Sequence, residues 1–302
     1  MVDNKEYDIV IKYDTNWNND YYTYNNLIQL YNTLDSCEQK KVLLDFKNVE
    51  FVSANLLAVL GGILDVAVIE KKHTVTFGSI HPKVKKVMLM NGFRKYFSWD
   101  TVEDVFHSTM EYKIFQATTE NLEEFEKYIL INVFSRKGMP HMSGTVKDRM
   151  IDNFLEMFNN VIDHAISNKV YICGQYFHRS DNLVLSIVDF GRTIKENVLE
   201  FLGAENKCID NTLEWAIIPG NSTKSESAPG GLGFSIILDF VDLNNGGFTL
   251  ISDSECYEIN KSGKRFLKME NSFKGTIVTI TFNLGADFAY ILEENDINDI
   301  IF

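Results

Sequence analysis

The stretch Glu156-Met157-Phe158-Asn159-Asn160-Val161-Ile162-Asp163-His164-Ala165 places a carboxylate, an amide and an imidazole at i, i+4 and i+8. A helical repeat of about 3.6 residues stacks the three along one face of a single helix. At about 1.5 Å of rise per residue, Glu156 and Asn160 lie roughly 6 Å apart along the axis, a spacing that suits a metal-bound phosphate and its attacking water. A core helix would carry Leu or Ile at such stacked positions, whereas here the polar groups fall between Phe154, Leu155, Met157, Phe158, Val161 and Ile162. The polar stripe therefore faces a cleft or solvent, and alone it also fits the outer face of an amphipathic helix. Three downstream segments separate these readings.

The first is a strand-like run, Leu183-Val184-Leu185-Ser186-Ile187-Val188, that leads into Asp189-Phe190-Gly191-Arg192-Thr193-Ile194. A carboxylate at the end of a buried strand, followed by Gly, can accept from an exocyclic amine while the backbone comes close to a base. Adenine offers that amine where guanine offers a carbonyl, so Asp189 would select ATP. The second is Pro229-Gly230-Gly231-Leu232-Gly233-Phe234-Ser235-Ile236-Ile237-Leu238, a glycine cluster running into an apolar helical pattern. Such a junction offers unpaired backbone N–H groups and the positive end of a helix dipole to a phosphate. The third, Gly246-Gly247 followed by Lys274-Gly275-Thr276-Ile277-Val278-Thr279-Ile280-Thr281-Phe282, reads as a turn and a closing pair of strands.

In this order and spacing the segments resemble the GHKL superfamily of ATP-binding domains, shared by gyrases, MutL proteins, heat-shock chaperones, histidine kinases and anti-sigma factor kinases. The resemblance spans residues 112–284. It implies that Glu156 is the general base, that Asn160 is the magnesium ligand and that Asp189 reads adenine. Gly191 matches the first glycine of the second motif, and Thr193 stands where the family usually has another glycine. A β-branched residue there is disfavoured if the backbone needs positive φ. Gly230, Gly231, Leu232 and Gly233 match the phosphate-cradling loop, and Thr276 matches a threonine that helps to hold the adenine edge. His164 aligns with a frequent family histidine and is equally a capping or supporting side chain. Residues 215–228 are polar and poorly periodic and read as a lid over the triphosphate, from which Lys224 could reach the terminal phosphate. The implied ligands are ATP and magnesium, since a triphosphate needs its charge shared. No Gly-x-x-x-x-Gly-Lys-Ser/Thr run competes, and Ser262-Gly263-Lys264-Arg265 lacks the hydroxyl residue that would follow.

Residues 41–97 carry a different pattern. Val42-Leu43-Leu44-Asp45-Phe46 reads as a strand, 56–69 as a helix, Thr74-Val75-Thr76-Phe77-Gly78 as a second strand and 82–90 as a second helix. Their order and apolar spacing, over residues 5–99, resemble STAS domains, the fold of anti-sigma factor antagonists and of the cytosolic tails of sulfate transporters. In antagonists the loop before the long helix carries a phosphorylated hydroxyl residue. Here that loop reads Ser53-Ala54-Asn55-Leu56 and places Asn55 at the acceptor position. This implies a docking or homodimerisation platform rather than a phosphoswitch.

The expected architecture is thus α/β: residues 1–108 a STAS-like α/β domain, residues 109–302 a GHKL α/β two-layer sandwich with a C-terminal tail. A chain of 302 residues with 45% hydrophobic content is long enough for two cored domains. A net charge of -13 argues against nucleic acid or an anionic membrane as main partner. The apolar run 56–69 is broken by Gly61, Gly62 and Asp65 and is too short to span a bilayer, so a cytoplasmic protein is expected. Cys37, Cys173, Cys208 and Cys256 lack ligand or disulfide spacing. The tail mixes Ile291, Leu292, Ile297, Ile300, Ile301 and Phe302 with acidic residues, and docking on the body is its default because an exposed apolar cluster invites association.

The functional expectation is an Mg-ATP-binding regulatory protein, an ATPase whose nucleotide state gates a protein partner of STAS or sigma-regulatory type. A protein-serine/threonine kinase of the anti-sigma factor type and a non-catalytic ATP-binding scaffold are the alternatives. A histidine kinase is disfavoured because His141 lies between Pro140 and Gly144 rather than inside a long dimerisation helix.

Overall fold

The computed structural model describes residues 6–93, 102–136, 138–203, 209–218, 220–221, 234–285 and 289–290. The front half runs β1 (Ile9–Lys12), α1 (Tyr21–Asp35), β2 (Lys41–Phe46), α2 (Leu56–Asp65), β3 (Thr74–Ile80) and α3 (Pro82–Met90). Its strands form a parallel sheet in the order β1-β2-β3. Strands added successively in one direction through right-handed crossovers put both connecting helices on the same face, and α1 and α2 share that face here. Asp20 caps α1 by accepting from the Thr23 N–H at 2.8 Å, and Pro82 opens α3 where a missing N–H costs nothing. The two strands and two helices expected over residues 41–97 therefore form within a few residues of their sequence-read bounds.

The back half runs β4 (Thr109–Gln116), α4 (Leu122–Ile129), β5 (His141–Met142), α5 (Gly144–Asn160), β6 (Lys169–Phe177), β7 (Asn182–Asp189), α6 (Ile194–Leu202), α7 (Thr212–Ile217), α8 (Ser235–Leu243), β8 (Gly247–Asn260), β9 (Gly263–Asn283) and β10 (Ala289–Tyr290). Five of its strands form an antiparallel sheet in the order β4-β6-β7-β9-β8. One face packs against α4, α5 and α8, with Phe154, Phe158, Ile237 and Val241 set on Ile172, Leu185 and Ile280. At the start of the tail, β10 pairs in parallel with β5. The remaining tail, residues 291–302, lies outside the described residues.

The second face of this sheet is covered as well. Helix α1 lies on β9, and α2 lies on β6 and β7. Tyr112, Tyr171, Cys173, Val188, Ile251 and Ile277 from that face join one buried cluster with Leu27, Leu34, Leu57, Leu60 and Leu64 from the helices. The two halves therefore share a core. A helix that is apolar all round must be buried all round, and α2, Leu-Leu-Ala-Val-Leu-Gly-Gly-Ile-Leu-Asp, is buried from Leu56 to Leu64 between the two sheets. Gly61 and Gly62 allow the approach: a Cβ on Gly61 would sit 2.1 Å from the Tyr112 hydroxyl, and one on Gly62 would sit 2.0 Å from the Phe190 ring.

Polar groups where α1 and α2 meet the five-stranded sheet pair with one another, as low-dielectric burial favours. Asn55, wholly buried, donates to Asn19 Oδ1 at 2.6 Å and to Ser186 Oγ at 2.9 Å. Ser186 is hydrogen-bonded to Thr279 at 2.7 Å, and Thr279 to the Tyr24 hydroxyl at 2.7 Å. Toward one end of the helix, Asp65 receives the Lys169 ammonium and the Tyr171 hydroxyl, each at 2.6 Å.

Candidate functional site

Strand β7 presents alternate residues to the two faces. Val188 and Ser186 point toward the front half, while Ile187 and Asp189 belong to the other side. There, β7, β9, α5 and α6 enclose a cavity with about 960 Å³ of empty space, solvent at its mouth included.

Glu156, Asn160 and His164 all line it, so the polar stripe faces a cleft. The helix that carries them is not uniform: α5 is regular to Asn160 and continues through a π-turn from Val161 to Ala165. Such turns widen a helix locally and recur at functional sites. Ser143 begins α5 by accepting from the Val146 N–H.

Asp189, 4% exposed, stands on the opposing strands. It pairs in register with Thr276 of β9, and both line the cavity. Burial pushes its carboxyl up to about 7, against the pull of hydrogen bonds from the Gly191 N–H, at 2.9 Å, and from Thr276. A carboxylate held at such cost beside a cavity is chemistry that the fold does not need for stability.

The backbone around it admits only glycine at two points. A Cβ on Gly191 would lie 2.1 Å from the Ala165 carbonyl, at the end of the π-turn, and the neighbouring Arg192 N–H donates to that carbonyl at 2.6 Å. Gly275, at φ +119°, packs against the Asp189 carbonyl, which a Cβ there would approach to 2.1 Å. The same Gly275 carbonyl accepts from Ser252 Oγ, which in turn accepts from the Ile194 N–H at the start of α6.

Thr193 does not line the cavity. Its φ is −75°, so the β-branched side chain carries no backbone strain, and it is the N-cap of α6 in a capping box with Glu196. Gly191 acts through packing and its N–H rather than as a lining residue. Lys224, Gly230, Gly231, Leu232 and Gly233 lie outside the described residues, as does most of the expected lid; Trp215 and Ala216, in α7, line the cavity together with Asn221, whose amide donates to the Trp215 carbonyl at 2.9 Å.

Several lining residues carried no motif signal: Arg192, Asn197, Trp215 and Phe234. Asn197 sits one turn into α6 and donates to the His164 carbonyl at 3.2 Å, which ties α6 to the π-turn. Among the described residues no three His, Cys, Asp or Glu side chains are grouped to hold a metal, and no helix is long and apolar enough to cross a membrane. Asn160 lines the cavity, and a single side-chain amide suits magnesium held mainly by a ligand's oxygens and water.

The sequence matches no protein-family model and no curated protein.

Proposed function

We propose that the chain is an Mg-ATP-binding regulatory protein of GHKL type, an ATPase whose nucleotide state gates contact with a protein partner. The observation that carries this reading is the buried Asp189 carboxyl lining the same cavity as Glu156 and Asn160. Asp189 accepts from the exocyclic amine of adenine, and Thr276, bonded to it, holds the same edge. Ile187, Val161, Val198 and Val278 supply apolar walls for a base. On α5, Glu156 orients and deprotonates the attacking water, and Asn160 is the residue that would hold magnesium. Magnesium, when bound, shares the negative charge of the triphosphate. Lys224 and residues 230–233, which the sequence resemblance assigns to the phosphates, lie outside the described residues.

The front half is then a STAS-like unit without a phosphoacceptor. Asn55 and Ser53 are 0% and 1% exposed, and Ser53 Oγ donates to Asn55 Oδ1 at 2.5 Å, so neither side chain is presented to a kinase. Its role is docking or dimerisation, with a partner of STAS or sigma-regulatory type. The test is single-turnover product analysis of Glu156→Ala beside direct ATP titration: hydrolysis should be abolished while binding survives. Unchanged turnover would remove Glu156 from the assigned role.

A further inference from the structure

Asp189 is followed by Phe190, whose ring turns away from the cavity into the shared core. Its socket is built from both halves. Tyr171 of β6 and Phe273 of β9 lie with ring centroids 5.7 and 5.1 Å from it, and Tyr31 of α1 lies at 5.5 Å. The fourth wall is the bare backbone of Gly62 in α2, where a Cβ would meet the ring at 2.0 Å. Asp189, Phe190 and Gly191 are thus held on three sides: by Gly275 of β9, by the Ala165 carbonyl after α5, and by α1 and α2 of the front half. The first two contacts belong to the nucleotide unit itself. The third does not.

We propose that Phe190, seated against Gly62 and Tyr31, is a positioning residue through which the front half sets the placement of the Asp189 carboxyl, and with it the affinity and base selectivity of the nucleotide site. The inference rests on the ATP reading of that site. The physical link is short. Phe190 shares a peptide bond with Asp189, and the carboxyl bonds to the Gly191 N–H on the far side of the ring-bearing residue. Displacing the ring moves the backbone that carries the carboxyl and the Gly191 N–H that binds it, while Thr276 stays on β9. A packed core transmits such a shift rather than absorbing it, because interiors are close-packed. A partner or second copy that pries α2 from the sheet would release the ring and loosen nucleotide; nucleotide, by reciprocity, would tighten the front half on the sheet.

The experiment compares two glycine substitutions in the full chain, at consecutive positions on α2. Gly62→Ala puts a methyl group into the Phe190 ring; Gly61→Ala puts one 2.1 Å from the Tyr112 hydroxyl of β4, a comparable steric insult remote from Asp189. Calorimetric Kd values for ATP and GTP are measured with thermal stability. Gly62→Ala should weaken ATP about tenfold or more, the scale of loss that a small misplacement of a binding group causes. Gly61→Ala should lose stability with ATP affinity within about twofold of the unaltered chain, as expected of a merely structural change. Gly62→Ala combined with Phe190→Leu, which makes room for the methyl group, should recover most of the affinity. Equal Kd losses in the two glycine variants, or full ATP affinity in a folded Gly62→Ala protein, would overturn the proposal. Should Gly62→Ala fail to fold, Phe190→Leu alone decides: several-fold weaker ATP binding with reduced ATP-over-GTP preference supports the proposal, and unchanged values overturn it. An unaltered chain that binds no ATP would instead overturn the reading of the site itself, and this inference with it.

Discussion

Asp189 is the residue at which stability and function pull apart. Its folded-state value is raised from 3.8 to about 7 by burial. Between about pH 4 and 7 the folded chain therefore holds a proton that the unfolded chain has released, so stability falls as pH rises through that window and levels above it. The shift corresponds to at most about 4 kcal/mol of folding free energy. Asp189→Asn removes the ionisation and keeps an oxygen for the Gly191 N–H. The variant should be more stable than the unaltered chain at pH 8 and lose that advantage at pH 5, while ATP binding weakens at both. Denaturant unfolding at the two pH values checks this, and an advantage independent of pH would contradict the burial account. Asp189, Thr276, Glu156 and Asn160 were legible because each combines a polar residue type with an apolar setting that a core would not choose. Arg192, Asn197, Trp215 and Phe234 were not, because they reach the cavity through the path of α6, α7 and the loops around them, which local pattern does not fix.

At the scale of elements, the glycines and caps around the site divide into two kinds. Gly275 combines a left-handed φ with a contact that leaves no room for a Cβ. Gly275→Ala should therefore destabilise the β7–β9 pairing severely, by several kcal/mol, with loss of soluble protein or a large fall in melting temperature. Thr193 only starts α6. Thr193→Ala should cost about 1 kcal/mol in denaturant unfolding and leave ATP affinity nearly unchanged; a large loss of affinity would mean that Thr193 touches nucleotide after all. The sequence pattern suggested a glycine-like requirement at Thr193 because motif alignment compares residue types, whereas the backbone there is extended and favours a capping hydroxyl. The positions of α2, α3, β2 and β7 were readable from periodicity, since they have clear apolar patterns and clear ends. The π-turn after Asn160 was not, as nothing in residue type marks one inserted residue in a helical repeat.

At the scale of the molecule, the front and back halves are joined by a continuous buried core and by the Asn55, Ser186, Thr279 and Tyr24 hydrogen bonds. Elements that share a core unfold together. Calorimetry of the full chain should therefore show one cooperative transition, and two resolved transitions, with the front half melting alone, would show that the shared core contributes little. The packing left a trace in the sequence. An antiparallel strand with one wet face alternates, yet residues 183–188 are apolar except Ser186, which signals burial on both faces. Such a run fixes that something covers the second face but not which element does.

The most direct test of the account is isothermal titration of the purified chain and of Asp189→Asn with ATP and GTP in magnesium. The account predicts that the chain binds ATP well above GTP and that the substitution removes most of the ATP affinity in a protein that remains folded. Equal binding of ATP and GTP, or ATP affinity untouched by Asp189→Asn, would contradict it.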